Sequence, residues 1–270
     1  MSGQRGSGAK AASAKVYAGI DVGSATTKVV LINDSHEILA DDVRRSGIDF
    51  NETSKNALDA AMKTAGVEKG DIAYIVSTGY GRRNAEFAND TKTEISCHAK
   101  GAYHYFPKML TIIDIGGQDN KIIKLDNEGK ITSFKMNRKC AAGTGTFLEE
   151  IAFKIGIGMG EMETTALRST KPTKLNSFCT VFASTEIIEK IRAGEKKEDM
   201  LRGVYASVVE RVAEMDSLSG DIVLTGGVVE HNKLIVDMFE KKLGCKILLP
   251  PRPQLMGAFG AALFALERAI

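Results

Sequence analysis

Two aspartates in this chain stand in the same short pattern, Ile-Asp-x-Gly followed after four further residues by lysine. The first copy is "GIDVGSATTKVVLI" (19–32), with Asp21, and the second is "IIDIGGQDNKIIKL" (112–125), with Asp114. An aspartate at the end of a buried strand, followed by glycine, lets backbone N–H groups point at an anion. Two such carboxylates could hold Mg²⁺ through its water shell, because Mg²⁺ prefers oxygen ligands. One copy alone would be typical of a strand-ending turn, but two copies in register favour a phosphate site.

Cysteine is the second residue type here that could do chemistry. Cys140 precedes "AAGTGTFLEEIAFKIG" and Cys179 precedes "TVFASTEIIEKIRAG", and both stretches have the apolar spacing of a helix. A thiol at a helix N-terminus meets unpaired N–H groups and partial positive charge, which favour the thiolate. A [4Fe–4S] cluster takes four thiolates, so a chain that offers two of them needs a symmetric partner to complete it. Two unrelated buried cysteines remain the alternative at this point.

The two other cysteines have weaker signals. Cys97 and His98 lie near the start of the helix predicted for "SCHAKGAYHYF", and an adjacent histidine permits a metal site. We expect instead a buried thiol and a hydrogen-bonded histidine, because no further ligand lies nearby in the sequence. Cys245 is expected to be the first residue of a strand, without a functional role.

The elements expected around these residues are those of two similar α/β units. Each copy of the repeat continues through a polar turn into a third strand, and the first is followed by a helix (51–66) and a strand (71–79). A third glycine turn, "VLTGGVVEHN" (223–232), lies between an apolar strand and a helix. A repeated supersecondary unit normally marks a repeated domain, so we predict an α/β fold of two lobes. The chain has neither a Walker P-loop nor a dinucleotide-binding motif.

Charge and composition exclude several classes of function. The net charge of +2 argues against binding to nucleic acid or to an anionic membrane. The apolar run at 257–266 is shorter than the roughly 20 residues of a membrane span. Residues 1–15 are rich in Gly, Ala, Ser and Lys, lack the apolar stretch of a signal peptide, and are expected to be a disordered leader or a tag remnant. We therefore expect a cytoplasmic protein with reduced cysteines.

The paired Asp-x-Gly turns and the Gly-Gly turn resemble those of the acetate and sugar kinase/heat-shock chaperone/actin superfamily. In that superfamily two ribonuclease H-like lobes, each α/β, bind ATP in the cleft between them. The resemblance implies an N-terminal lobe at 16–108, joined by the C-terminal helix at 254–270, and a C-terminal lobe at 109–253 that carries Cys140 and Cys179.

The same resemblance implies a role for each motif. Asp21 and Asp114 would position Mg²⁺, through water, and Gln118 would position the attacking water or the terminal phosphate. The nucleotide contacts that it implies are Ser24, Ala25, Thr26, Thr27, Lys28, Gly116, Gly117, Gln118, Gly226, Gly227, Glu230 and Gln254.

Longer motifs narrow the resemblance: "TGYGRRN", "EISCHAKGA", "IDIGGQD", "KCAAGTGTFLE", "SFCTVFASTEII" and "PQLMGAFGAALFA". They resemble the ATP-dependent activators of 2-hydroxyacyl-CoA dehydratases, a family that includes the ATPase subunits of benzoyl-CoA reductase and the reductases of double-cubane cluster proteins. In that family, the cysteines matching Cys140 and Cys179 in both subunits hold one [4Fe–4S] cluster. The chain reads "GSATTK" where these activators tend to read "GSTASK", which keeps the hydroxyls and Lys28.

The family resemblance implies a homodimeric enzyme that couples ATP hydrolysis to low-potential electron transfer. Its electron donor would be a ferredoxin or flavodoxin. Its acceptor would be an iron–sulfur protein, either a 2-hydroxyacyl-CoA dehydratase or a double-cubane cluster protein. Two alternatives from the same superfamily remain, a small-molecule kinase and a nucleotide-dependent regulator.

Overall fold

The computed structural model describes residues 15–137, 141–176 and 179–269 of the chain. Cys140 and residues 1–14 of the expected leader lie outside the described residues. Within the described ranges, no helix is both long and apolar enough to cross a membrane.

Two five-stranded sheets account for the strands of the described residues. The first sheet consists of β1 (Val16–Val22), β2 (Thr26–Ile32), β3 (Ile38–Arg45), β4 (Ile72–Thr78) and β5 (Asp90–Thr91). The second sheet consists of β6 (Leu110–Ile115), β7 (Asn120–Leu125), β8 (Ile131–Asn137), β9 (Asp221–Thr225) and β10 (Ile247–Leu248).

The two sheets share one topology. Their strand orders are β3-β2-β1-β4-β5 and β8-β7-β6-β9-β10, in which an antiparallel meander is extended by parallel strands. The register also repeats, because Asp21 pairs with Lys28 across β1 and β2, and Asp114 pairs with Lys121 across β6 and β7. Every residue of β1 and of β6 is buried, as expected for central strands covered on both faces. The predicted duplication is confirmed.

Helices cover the faces of both sheets. They are α1 (Phe50–Ala65), α2 (Glu94–Tyr105), α3 (Gly145–Ile155), α4 (Met159–Ala166), α5 (Thr180–Arg192), α6 (Lys197–Glu214), α7 (Gly227–His231), α8 (Lys233–Leu243) and α9 (Met256–Ala269). The boundaries of α1 follow from its caps, because Asp49 accepts a hydrogen bond from the Glu52 N–H and Gly66 adopts the left-handed conformation.

Helix α2 lies between the two sheets and contacts both sides. Its Cys97 belongs to the apolar core that α9 forms against β1, β2 and β4. Its Ile95 and Ala99 pack instead against Ile112 and Ile123 of the second sheet. Helix α9 thus contacts the first sheet. That it joins an N-terminal lobe stays a prediction. The lobe boundary between residues 108 and 109 stays a prediction.

The contact between α2 and α9 depends on a glycine. A Cβ at Gly260 would overlap the Cys97 carbonyl. We expect Gly260→Ala to lower the free energy of unfolding by about 1–3 kcal/mol, because the two backbones must separate. At Gly160 in α4, by contrast, a Cβ would meet no atom of the described residues within 4 Å outside its own helix. Gly160→Ala should therefore raise the free energy of unfolding by about 0.5–1 kcal/mol, measured by urea unfolding. Equal effects of both substitutions would contradict this account.

Candidate active site

A cleft between the sheets collects most of the residues predicted from the motifs. Its walls come from the β1–β2 turn, the β6–β7 turn and the start of α7. The predicted residues that line it are Asp21, Ser24, Ala25, Thr26, Lys28, Asp114, Gly116, Gly117, Gln118, Gly226, Gly227 and Gln254. Residues that are far apart in sequence are therefore close in space because the two repeats point their turns at one cleft.

The β1–β2 turn is held in place by the backbone. The Gly23 N–H donates to the Thr26 carbonyl at 3.1 Å, and the Ser46 hydroxyl donates to the Gly23 carbonyl at 2.5 Å. The tip of the turn, at Ser24 and Ala25, is exposed. A fixed turn with an exposed tip and neighbouring hydroxyls is suited to contacting phosphate.

The β6–β7 turn is fixed to the beginning of α3. The Gly145 N–H donates to the Gly116 carbonyl at 2.9 Å, and the Thr146 N–H donates to the Gly117 carbonyl at 2.8 Å. The Thr146 hydroxyl also donates to Gly117, at 2.7 Å. The second predicted phosphate turn and the segment that follows Cys140 are thus joined directly.

The third turn requires glycine for two reasons. Gly226 has φ of 101°, in the region that favours glycine, and a Cβ there would overlap the Ile115 carbonyl. Its N–H donates to the Pro253 carbonyl at 3.0 Å, which brings the segment preceding α9 to the cleft. Beside it, the Thr225 hydroxyl donates to Asp114 Oδ1 at 3.1 Å.

Each aspartate of the repeat forms an ion pair with the lysine of its own copy. Lys28 Nζ lies 3.0 Å from Asp21 Oδ2, and Lys121 Nζ lies 3.1 Å from Asp114 Oδ2. Asp21 Oδ1 is buried and receives no hydrogen bond from the part of the chain that the structure describes. An orphaned carboxylate oxygen of this kind is able to accept a hydrogen bond from water on Mg²⁺, so the residues present fit that ion.

The charges around Asp114 keep it ionised. Burial acts to raise the pKa of Asp114, but the charges of His98 and Lys121 and the hydrogen bond from Lys121 hold that pKa well below its usual range. Burial likewise acts to lower the pKa of Lys121, but Asp114, Glu94 and Asp119 raise it well above its usual range. Both groups are therefore charged at neutral pH.

Two predicted nucleotide contacts lie away from the cleft. The Thr27 side chain is fully buried and its hydroxyl is 3.0 Å from that of Ser46. Side chains alternate along a strand, so Thr26 and Lys28 line the cleft and Thr27 points to the other face. Glu230 does not line the cleft either; its carboxylate accepts from the Gln254 N–H at 3.2 Å and so supports a residue that does.

Several residues of the cleft were not predicted from the sequence. Glu94, His98, Asp119 and Lys121 all line it. Lys121 is the lysine of the second repeat, so its place in the cleft could have been predicted from its equivalence to Lys28. Glu94 and His98 are one helical turn apart, and this spacing could have predicted that they lie on the same face of a helix.

The surroundings of His98 correct the argument that it lacks nearby ligands. One ligand atom from each of Glu94, His98 and Asp114 lie within 4.8 Å of one another. His98 Nδ1 is 3.4 Å from the Thr225 hydroxyl, in line with the predicted hydrogen-bonded histidine. Lys121 Nζ lies 2.9 Å from Glu94 Oε1, so a cation of the chain itself already balances this cluster.

The remaining cysteines differ in their surroundings. Cys179 is partly exposed and is the N-cap residue of α5, as predicted, whereas Cys140 lies outside the described residues. Cys97 is fully buried, and burial raises its pKa to about 12, which agrees with an inert thiol. Cys245 lies in the bend after α8, two positions before β10 begins, so the prediction that it starts a strand is wrong. Gly244 in the left-handed conformation ends α8 and delays the strand.

Two repeated sheets whose Asp-x-Gly turns meet at one cleft define an ATPase of the actin-like fold. The chain belongs to the BadF/BadG/BcrA/BcrD ATPase family, whose profile matches residues 18–265. The sequence-based expectation of this family, of this fold class and of an ATPase is confirmed.

Similarity to named relatives and to solved structures supports the assignment to this family. The activator of lactoyl-CoA dehydratase from Anaerotignum propionicum is 43% identical over 254 residues, which is 93% of this chain and 97% of that protein. The crystal structure of the Acidaminococcus fermentans (R)-2-hydroxyglutaryl-CoA dehydratase component A has a TM-score of 0.89 and 38% identity, covering 94% of this chain and 99% of its own. The activator of the 2-hydroxyisocaproyl-CoA dehydratase from Clostridium difficile, with bound ADPNP, has a TM-score of 0.88 and 37% identity, with coverage of 94% and 95%.

Proposed function

We propose that this chain forms a homodimer that couples ATP hydrolysis to low-potential electron transfer into an iron–sulfur partner protein. The partner is a 2-hydroxyacyl-CoA dehydratase or a double-cubane cluster protein. The names of the relatives support the proposal, since they are activators of hydroxyacyl-CoA dehydratases.

The observation that carries the coupling of ATP hydrolysis to electron transfer is the attachment of α3 to the β6–β7 turn. The first N–H groups of α3 donate to the carbonyls of Gly116 and Gly117, which belong to the turn that lines the cleft. A shift of that turn on ATP binding therefore moves the start of α3, and with it the segment that follows Cys140. Coupling of this kind needs a physical connection between the two sites that has two arrangements, and these hydrogen bonds are part of it.

The nucleotide is bound by both repeats. Ser24 and Lys28 contact the phosphates from one side, and Gly116 and Gly117 from the other. Asp21 and Asp114 hold Mg²⁺ through its water molecules, and Gln118 orients the water that attacks the terminal phosphate. The Gly-Gly turn at 226–227, with Gln254, contacts the adenosine; both line the cleft.

Cys140 and Cys179 from both subunits hold one [4Fe–4S] cluster, which supplies one-electron chemistry. The position of Cys179 fits this role, because its side chain is partly exposed and lies at the N-terminus of α5. The first N–H groups of α5 stabilise negative charge at that position.

The surface around Cys179 supports the proposal that a second copy of the chain binds there. Val181 and Phe182, directly after Cys179, are 69% and 68% exposed. Phe153, on the neighbouring α3, is 77% exposed. Large exposed apolar side chains such as Val181 and Phe182, next to Cys179, are typical of an interface, and a cluster that takes two thiolates from each chain needs the second copy at the same position.

The homodimer can be tested together with the cluster. We expect the anaerobically purified chain to have twice its monomer mass and about two irons per chain, which corresponds to one shared [4Fe–4S] cluster. Phe182→Asp should yield an iron-poor monomer, because a charge in an apolar interface is costly to bury. The control is Ile48→Asp, since Ile48 is fully exposed before α1. A monomeric wild type with about four irons would contradict the shared cluster.

The electron donor that we propose is a ferredoxin or flavodoxin, and the setting is the cytoplasm. Neither nucleic acid nor a membrane has a role, in keeping with a net charge of +2.

A small-molecule kinase is the second candidate, favoured by one observation. A second cavity adjoins the cleft and is also lined by residues that do not line the cleft, such as Arg82 and Phe134. The residues that the two share are Ser24, Tyr80, Glu94, Gln118 and Asp119. Such a cavity beside the phosphate turns is where an acceptor substrate would bind. An iron-free protein that transfers phosphate to a metabolite would decide for the kinase, and ATP hydrolysis with bound iron would decide against it.

A further inference from the structure

The ammonium group of Lys121 is the most extensively paired cation at the cleft. It lies 2.9 Å from Glu94 Oε1, 3.1 Å from Asp114 Oδ2 and 2.6 Å from Asp119 Oδ1. The side chain is 1% exposed. A lysine buried to this degree is kept only where carboxylates compensate its lost hydration, and here three of them do so.

The equivalent lysine of the first repeat has different surroundings. Lys28 has one carboxylate partner among the described residues, Asp21 at 3.0 Å, and its side chain is 14% exposed. A cation with a single partner and access to the cleft can turn to an incoming phosphate at modest cost. Lys121 would have to leave three carboxylates in order to do the same, so it stays where it is. The duplicated motif has thus given its two lysines different roles.

The three partners of Lys121 come from different elements. Glu94 is in the first turn of α2, Asp114 is in β6, and Asp119 follows Gln118 in the β6–β7 turn. The turn closes on itself, because the Gly116 N–H donates to the Asp119 carbonyl at 3.0 Å. Holding the Asp119 side chain therefore also holds the backbone on both sides of Gln118.

We propose that Lys121 is a positioning residue for ATP hydrolysis: it fixes the turn that carries Gln118 against Glu94 of α2, at the phosphate end of the cleft. Lys28 is the cation that contacts the phosphates. This inference rests on the ATP site of the proposed function. Glu94 and Gln118 line both the cleft and the adjoining cavity. A displacement of Gln118 relative to Glu94 would therefore change the direction from which water attacks the terminal phosphate.

The test compares the two lysines directly. Lys121→Met should lower kcat for ATP hydrolysis about 100-fold and change KM by less than about threefold, because only the arrangement in the transition state is lost. Lys28→Met should raise KM about tenfold or more, because a contact with the bound phosphates is lost. A Lys121→Met variant with wild-type kcat, or with the same rise in KM as Lys28→Met, would overturn the proposal.

A binding measurement separates positioning from general damage to the site. Lys121→Met should bind the hydrolysis-resistant analogue ADPNP like the wild type, but should bind ADP with aluminium fluoride, a mimic of the transferring phosphate, at least about tenfold more weakly. Equal losses of affinity for both ligands, by calorimetry, would indicate a structural role and overturn the proposal.

A double substitution tests the connection to Glu94. If Lys121 acts through Glu94, the double variant Lys121→Met with Glu94→Gln should have a kcat no lower than that of the slower single variant. If the two residues act independently, the fold-losses in kcat of the two single variants should multiply. Should Lys121→Met fail to fold, Asp119→Asn removes one partner and keeps the cation, and it should lower kcat without raising KM. An unchanged kcat in Asp119→Asn would overturn the proposal. Absence of ATP hydrolysis in the wild type would instead contradict the proposed function.

Discussion

Cys179→Ser is expected to remove the iron–sulfur cluster completely while leaving the affinity for ADPNP within about threefold of wild type. The hydroxyl of serine is a poor ligand for iron, and a shared cluster loses two of its four thiolates when both subunits carry the substitution. The nucleotide cleft should be unaffected, because Cys179 is not among its lining residues. The measurement is iron and acid-labile sulfide per chain on anaerobically purified protein, with calorimetric titration of ADPNP.

Cys245→Ser is the matched control for this experiment. Cys245 is likewise partly buried, but it lies in the bend after α8 and packs against the core of the second sheet. It should keep its full iron content. Retention of full iron by Cys179→Ser, or loss of iron in Cys245→Ser alone, would contradict the assignment of the ligands.

Asp114→Asn should lower Mg²⁺-dependent ATP hydrolysis by a factor of about 1,000 while the cluster stays bound. The carboxylate is buried, and an amide in its place removes the negative charge that balances Lys121 and that, in the proposed function, would hold the water shell of Mg²⁺. Thr225 donates to Oδ1 of Asp114 and Lys121 donates to Oδ2, so the single oxygen of the amide could accept from only one of these two positions. The measurement is the ATPase rate as a function of Mg²⁺ concentration, together with iron content.

The control is Asp221→Asn in the second sheet. Asp221 begins β9 and pairs with Lys108 at 2.8 Å, but its side chain is 51% exposed, so the pair contributes little. This variant should hydrolyse ATP at the wild-type rate. An Asp114→Asn variant with wild-type hydrolysis would remove Asp114 from the site.

The prediction of the fold succeeded where the signal was local and repeated. The pattern of Asp21 and Lys28 recurs at Asp114 and Lys121, and both pairs lie in register across their hairpins. Hydrophobic periodicity and glycine positions are local properties, so they can be read without the tertiary structure. The placement of Cys179 at the N-terminus of α5 was predicted on the same basis.

Side-chain direction and contacts between distant segments could not be predicted from the sequence. Thr27 belongs to the first predicted phosphate motif, but strand alternation turns its side chain to Ser46. Glu230 is near the Gly-Gly turn in sequence, yet its carboxylate binds the Gln254 N–H. In neither case does proximity in the sequence decide which surface a side chain faces.

The sequence by itself determined the repeated Asp-x-Gly turns, the elements that present them, the family, and the thiol at the start of α5. Only the tertiary structure decided that Glu94, Asp114 and Asp119 share the ammonium group of Lys121, and that α3 begins on the carbonyls of Gly116 and Gly117. The physical reason is that strand and turn preferences act between neighbours in the chain. The buried charge of Lys121 is compensated instead by carboxylates from distant parts of the chain. The packing of α2 against both sheets brings these groups together.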